Sequence, residues 1–241
     1  MKSIPNTITL INLFLGCVAI VMTLQGQPGV AAIIIGLCAV LDFLDGAVAR
    51  VLRAGSPIGQ QLDSLADLVS FGVAPSAILY YYLQGAFQLM QPGEPYILLP
   101  SLAFLVAVFS CLRLARFNID EAQKNDFRGL PTPASALLIA SIPFVLTYTD
   151  PDALVFSFFE TFITNIWLNL GLIFVISWLL VSPVRMFSLK VQSMTWKDNK
   201  YVILFFSGCL LLLIVFGLSA VPLFLIFYLL LSLVYHIQQY H

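Results

Sequence analysis

The sequence predicts an all-α protein, a polytopic membrane bundle of about eight transmembrane helices with both termini in the cytoplasm. Three observations carry this. The chain of 241 residues is 60% hydrophobic and only 10% charged, with a mean hydropathy of +0.97, which is more apolar surface than a soluble domain can cover. Apolar stretches of about 20 residues recur from end to end, enough for a helix to cross the hydrocarbon layer, without the alternation of a membrane barrel. All the basic residues also fall on one side once eight spans are drawn, leaving only acids in the opposite loops.

The elements follow in order. The first stretch, Thr7–Leu24, has no small-residue cleavage site and reads as a retained helix rather than a signal peptide. The second, Ala31–Val51, and the third, Leu62–Leu83, are joined by Ala54-Gly55-Ser56-Pro57-Ile58-Gly59, turn residues that make the two helices antiparallel neighbours. The fourth, Tyr96–Leu114, leads into a cytoplasmic segment, Arg113–Pro133. The fifth, Ala134–Tyr148, is short for a span and contains Pro143. The sixth covers Phe162–Val181 and is followed by a second cytoplasmic segment, Pro183–Lys200. The seventh, Tyr201–Leu218, and the eighth, Val221–Ile237, are separated by almost nothing, so a tight hairpin is expected near Ser219–Pro222.

Charge sets the orientation. All eleven Lys and Arg, from Lys2 through Arg50, Arg113 and Arg185 to Lys200, lie on the N-terminal side of the membrane or at helix ends facing it. The opposite loops hold only acids: Glu94, Asp150, Asp152 and Glu160. That segregation places both termini inside and needs an even number of spans. No long linker or low-complexity tract divides the chain, so residues 1–241 read as one membrane domain, with the additional helices over about 134–237. The net charge of −1 gives no reason to expect a nucleic-acid partner. Cys17, Cys38, Cys111 and Cys209 lie one per apolar stretch, without metal-type spacing, and read as small buried hydrophobes. Tyr80–Tyr82, Trp167, Trp178 and Trp196 lie mostly toward helix ends, as an interfacial belt does.

Four aspartates interrupt this apolar sequence. A carboxylate at membrane depth costs roughly 3 kcal/mol and persists only with a partner or a task. Asp42 and Asp45 are three apart and share a helix face; Asp63 and Asp67 are four apart and share a face of the next helix. The turn between the helices brings the pairs together near their cytoplasmic ends. Hard oxygen donors in that number suit Mg²⁺ or Mn²⁺, with room for two ions. Gly46, beside a candidate ligand, allows close approach of a pyrophosphate to the backbone.

The run DFLDGAVARVLRAGSPIGQQLDSLAD matches the signature DxxDGxxARx8GxxxDxxxD at Asp42, Asp45, Gly46, Ala49, Arg50, Gly59, Asp63 and Asp67. Over residues 42–67 the chain thereby resembles the CDP-alcohol phosphatidyltransferases. PNTITLINLFLG, SLADLVSFGVAPS and RLARFN…FRGLPTPAS extend the resemblance over about residues 5–135, toward the phosphatidylserine synthase branch. The resemblance implies transfer of the phosphatidyl group of CDP-diacylglycerol to the hydroxyl of L-serine, at a site facing the cytoplasm from the inner (cytoplasmic) membrane. It implies Asp42, Asp45 and Asp63 as principal ligands of Mg²⁺ or Mn²⁺, and Asp67 as general base and further ligand. Asn6, Thr7, Gly46, Arg50 and Ser56 match positions that contact the CDP-alcohol. Membrane lipids are surrounding partners, and the family suggests a homodimer.

Arg113 and Arg116, three apart at the end of the fourth stretch, together with Arg128, form a candidate anion pocket for the serine carboxylate, with membrane anchoring as the competing reading. Ser70 is the remaining polar candidate beside the motifs. His236 and His241 receive no role. The same chemistry on glycerol 3-phosphate or inositol phosphate is the nearest alternative. An ion or proton transporter is a remote one, since hydropathy shows neither a broken-helix pair nor an inverted repeat.

Overall fold

The computed structural model describes residues 3–52, 56–90, 98–119, 129–184, 186 and 200–238. Those residues are helical wherever they are regular, with no strand among them. Helix α1 (Ser3–Leu24) lies along α2 (Pro28–Val51), and Pro28, at the first turn of α2, starts it where no backbone donor is needed. Ser56 caps α3 (Pro57–Met90) by accepting the Gly59 amide at 3.1 Å. At 34 residues, α3 is about 50 Å long and outruns the hydrocarbon layer. Its first third, PIGQQLDSLAD, is its polar part, so Asp63 and Asp67 lie ahead of its apolar remainder.

Helix α4 (Leu98–Ile119) returns beside α3 and ends at the same face as the α1 start, the α2 end and the α3 start. Helix α5 (Thr132–Tyr148) packs on α2 and continues through Pro143 without a break. The sixth apolar stretch is divided: α6 (Leu154–Thr164) meets α7 (Ile166–Val181) at 93°. Hydropathy showed no broken helix, because both halves are apolar; two asparagines make the break. Asn165 accepts the amides of Trp167 and Leu168, starting α7. Asn169 donates to the carbonyls of Phe162, Ile163 and Asn165, closing α6. Together they satisfy the backbone groups that a bend exposes in lipid. The break lies beside Tyr81, Tyr82 and Gln84 of α3, about 20 Å along the helix from Asp67, so it does not line the carboxylates.

Helices α8 (Lys200–Phe216) and α9 (Val221–Gln238) form the expected hairpin, joined by a 3₁₀ turn over Gly217–Ala220. Each of the eight apolar stretches thus contains a helix. Four are long and apolar enough to cross a membrane, or five if α6 and α7 count as one span; α5, α8 and α9 are shorter apolar helices. Ile35, Phe71, Ile78, Leu83, Ile139 and Ile173 form the core, while Leu130, Met186, Tyr228 and Leu231 tie the C-terminal hairpin to it. Outer faces are apolar, as at Leu210, Leu211 and Ile214, which suits a lipid surround. Cys38 is buried, but Cys17 and Cys111 are exposed on those outer faces. Tyr82 likewise belongs to the core rather than to a belt.

Candidate active site

Helix α3 leaves its cap with Asp63 and Asp67 one turn apart, both toward the C-terminal end of α2. One carboxylate oxygen from each of Asp42, Asp63 and Asp67 lies within 4.8 Å of the other two. A second feature marks the place as incomplete by itself: Asp67 Oδ1 is buried and has no hydrogen-bond partner among the described residues. Three converging carboxylates with an orphaned oxygen repel one another, and a hard divalent cation neutralises that arrangement. The residues fit such an ion. Directly after Asp67 the helix widens into a π turn over Leu68–Val73, a rare feature that concentrates at functional positions.

Asp45 stands apart from the trio. It is 5% exposed, and its Oδ2 accepts the Thr9 hydroxyl of α1 at 2.7 Å. Asp45 and Asp63 line a cleft of about 520 Å³ together with Asn6, Gly46 and Ser56. Three of the five residues expected to contact a CDP-alcohol therefore converge there. Arg50 is exposed, with its Nη1 3.4 Å from where a Cβ on Gly46 would stand. Thr7 is exposed and is not part of the lining. Apart from its chain neighbours and the surrounding backbone of its own helix, nothing else among the described residues comes within 4 Å of that added Cβ. The glycine is thus not demanded by helix packing, and its bare face opens on the cleft.

The two arginines of α4 part company. Arg113 turns inward, where its electrostatic neighbours are Asp67 and Tyr228, and its Nε is buried without a hydrogen-bond partner among the described residues. Arg116 is exposed. Arg128 lies outside the described residues. Ser70 is fully buried and donates to the Asn12 carbonyl at 3.1 Å, so it does not face an acceptor pocket.

Several neighbours of the site were not singled out from sequence. Thr9 binds Asp45. Asn118 donates to Ser64 at 2.8 Å, fastening the end of α4 beside Asp63. Tyr228, from the C-terminal hairpin, is an electrostatic neighbour of Arg113. The first two lie inside PNTITLINLFLG and RLARFN, so the quoted motifs contained them; nothing in the sequence pointed to Tyr228.

The family model for CDP-alcohol phosphatidyltransferase matches residues 2–178, a span that includes the trio, the cleft and Arg113. A protein of Mycobacterium leprae is 36% identical over 149 residues, covering 59% of this chain and 47% of its own. One of Helicobacter pylori is 37% identical over 137 residues, 56% of this chain and 54% of its own. One of Bacillus subtilis is 35% identical over 148 residues, 60% of this chain and 77% of its own. All three bear the name CDP-diacylglycerol–serine O-phosphatidyltransferase. The chain spans about half the length of the M. leprae and H. pylori proteins. With the model matching well over half of its residues, the chain belongs to the CDP-alcohol phosphatidyltransferase family.

Proposed function

We propose that this protein transfers the phosphatidyl group of CDP-diacylglycerol to the hydroxyl of L-serine, giving phosphatidylserine and CMP. The observation that carries the reading is the convergence of Asp42, Asp63 and Asp67 beside a cleft lined by Asn6, Gly46 and Ser56. The choice of serine is supported by the names of the relatives.

Asp42, Asp63 and Asp67 would hold Mg²⁺ or Mn²⁺, with Asp45 facing a second position from the cleft. A divalent ion bound there neutralises diphosphate charge and improves CMP as a leaving group. The bare backbone at Gly46 admits the diphosphate, while Asn6 and Ser56 offer hydrogen bonds to the nucleotide. Arg50, at the rim, supplies positive charge to it. Arg113, an electrostatic neighbour of Asp67, would offer its planar guanidinium to the serine carboxylate. Asp67 then takes the proton of the serine hydroxyl as its oxygen attacks the phosphorus that bears diacylglycerol. A P–O bond to serine forms, the P–O bond to CMP breaks, and the proton resides on Asp67. Orientation and electrostatics supply most of the acceleration in this scheme.

The membrane setting follows the same reading. Eight crossings with both termini cytoplasmic put the cleft on the side of CTP-derived nucleotides and free serine, while the acyl chains stay in the cytoplasmic membrane. The charge segregation supports it, with Asp152 and Lys200 expected to label from opposite sides after cysteine substitution. Assembly as a homodimer is carried over from the family resemblance. The test of the reaction is purified protein with CDP-diacylglycerol, Mn²⁺ or Mg²⁺ and radiolabelled serine. Labelled lipid and equimolar CMP are expected, and chelation should stop both; label remaining in the aqueous phase would overturn the proposal.

A further inference from the structure

We infer that the main-chain carbonyl of Asn12 fixes the separation of Asp42 from Asp67, with Ser70 and Cys38 acting as positioning residues of the carboxylate trio. The inference rests on the metal reading above and deepens it.

Two side chains from different helices converge on that one oxygen. Ser70 Oγ of α3 donates to it at 3.1 Å, and Cys38 Sγ of α2 lies 3.6 Å from it. Within helix α1 that oxygen already takes the Gly16 amide, so the Ser70 hydroxyl uses its second lone pair and the Cys38 thiol is the weaker, more distant neighbour. Cys38 is one helical turn before Asp42, and Ser70 is three residues after Asp67, so each donor sits a turn from a carboxylate of the trio. Asn12, Cys38 and Ser70 are all essentially buried. The bonds are therefore made in an apolar interior, where an unpaired hydroxyl is costly.

Satisfaction of a stray hydroxyl does not explain the pattern. Ser76, on the same helix and equally buried, donates to its own helix at the Gly72 carbonyl, 2.7 Å away. Ser70 instead crosses to α1. It does so from within the π turn Leu68–Val73, where the backbone has left the α-helical hydrogen-bond register, so an outside contact decides how the turn sits. Gly16, one turn beyond Asn12, completes the seat. A Cβ there would stand 2.9 Å from the Ser70 Cα and closer still to its hydroxyl, so α1 presses on the π turn without slack. Helix α1 thus holds the two carboxylate-bearing helices at one point, below the ion they would share.

The test is Mn²⁺ binding to the purified protein, read from the electron paramagnetic resonance of free Mn²⁺, with thermal unfolding measured in parallel. Ser70→Ala and Cys38→Ala should each raise the Mn²⁺ Kd about ten-fold, the size of effect seen when groups behind metal ligands are removed. Gly16→Ala should act in the same direction by displacing the π turn. Ser76→Ala should leave the Kd unchanged even if it lowers Tm. Should Ser70→Ala fail to fold, Cys38→Ala carries the test, since it removes only a weak donor. Wild-type protein that takes up no Mn²⁺ would overturn the metal reading and this inference with it. Binding by wild type, Ser70→Ala and Cys38→Ala alike would overturn this inference alone. Equal weakening by Ser76→Ala would assign the effect to lost packing and overturn it as well.

Discussion

The Thr9 hydroxyl stands 2.7 Å from Asp45 Oδ2 and 3.0 Å from the Pro5 carbonyl, bridging the start of α1 to the second aspartate of α2. Thr9→Val keeps the shape and removes the donor. A buried acceptor stripped of its partner costs about 1–3 kcal/mol, so Tm should fall and the KM for CDP-diacylglycerol should rise. The KM for serine should hold, because Arg113 and Asp67 are untouched. Steady-state kinetics with each substrate varied in turn would show this. Equal losses in both KM values would mean a collapsed site rather than a disturbed cleft.

Gly46→Ala separates folding from ligand approach. The added Cβ meets only Arg50 Nη1, at an ordinary 3.4 Å, and alanine gains roughly 1 kcal/mol over glycine inside a helix. The variant is expected to unfold at the same or a higher temperature than wild type. Its affinity for CDP-diacylglycerol should nonetheless drop, since the methyl group intrudes on the cleft. A stabilised variant with unchanged affinity would remove Gly46 from the nucleotide site.

Arg113 and Arg116 should behave differently although both belong to one motif. Arg113→Lys keeps the charge and loses the planar fork, so the serine KM should rise while the KM for CDP-diacylglycerol changes little. Arg116, exposed, should tolerate the same change. Serinol, which lacks the carboxylate, is the control: wild type should discriminate against it, and Arg113→Lys should discriminate less. Unaltered serine kinetics in Arg113→Lys would leave this arginine an anchor.

Asp67 is expected to differ from its two neighbours in what its loss leaves behind. Asp42→Asn and Asp63→Asn should weaken both metal uptake and turnover. Asp67→Asn retains one oxygen and loses the proton acceptor, so the chemical step should slow by about 10²-fold or more, with CDP-diacylglycerol binding less affected. Single-turnover kinetics beside a binding isotherm distinguish these cases. Preserved turnover in Asp67→Asn would reassign the residue.

The parts legible in sequence were those that depend on local spacing. Apolar runs located a helix in every expected stretch, and the spacing of the four aspartates put them on neighbouring helices. The carboxylates that meet are Asp42, Asp63 and Asp67, with Asp67 where Asp45 was expected among the principal ligands. Helix α3 already begins at Pro57, inside the expected turn. What escaped was non-local or rested on single polar atoms. The bend at Asn165 interrupts a run that is apolar on both sides, and only asparagine amides reveal it. The tie from Ser70 to Asn12 ends on a main-chain carbonyl, which no side-chain pattern records. Arg113 and Arg116 are about 60° apart around a helix, enough for one to enter the bundle and the other to face outward. The electrostatic pairing of Tyr228 with Arg113 depends on where the C-terminal hairpin docks, a matter of tertiary packing rather than of motif.

The central claim concerns the acceptor, and a competition assay tests it most directly. Purified protein is supplied with CDP-diacylglycerol, Mn²⁺ or Mg²⁺ and equal concentrations of L-serine, glycerol 3-phosphate and inositol phosphate. The lipid product is then identified by mass spectrometry. The account predicts phosphatidylserine as the product, with CMP released in equal amount. A phosphatidyl product built on either of the other alcohols, with serine left unconsumed, would contradict it.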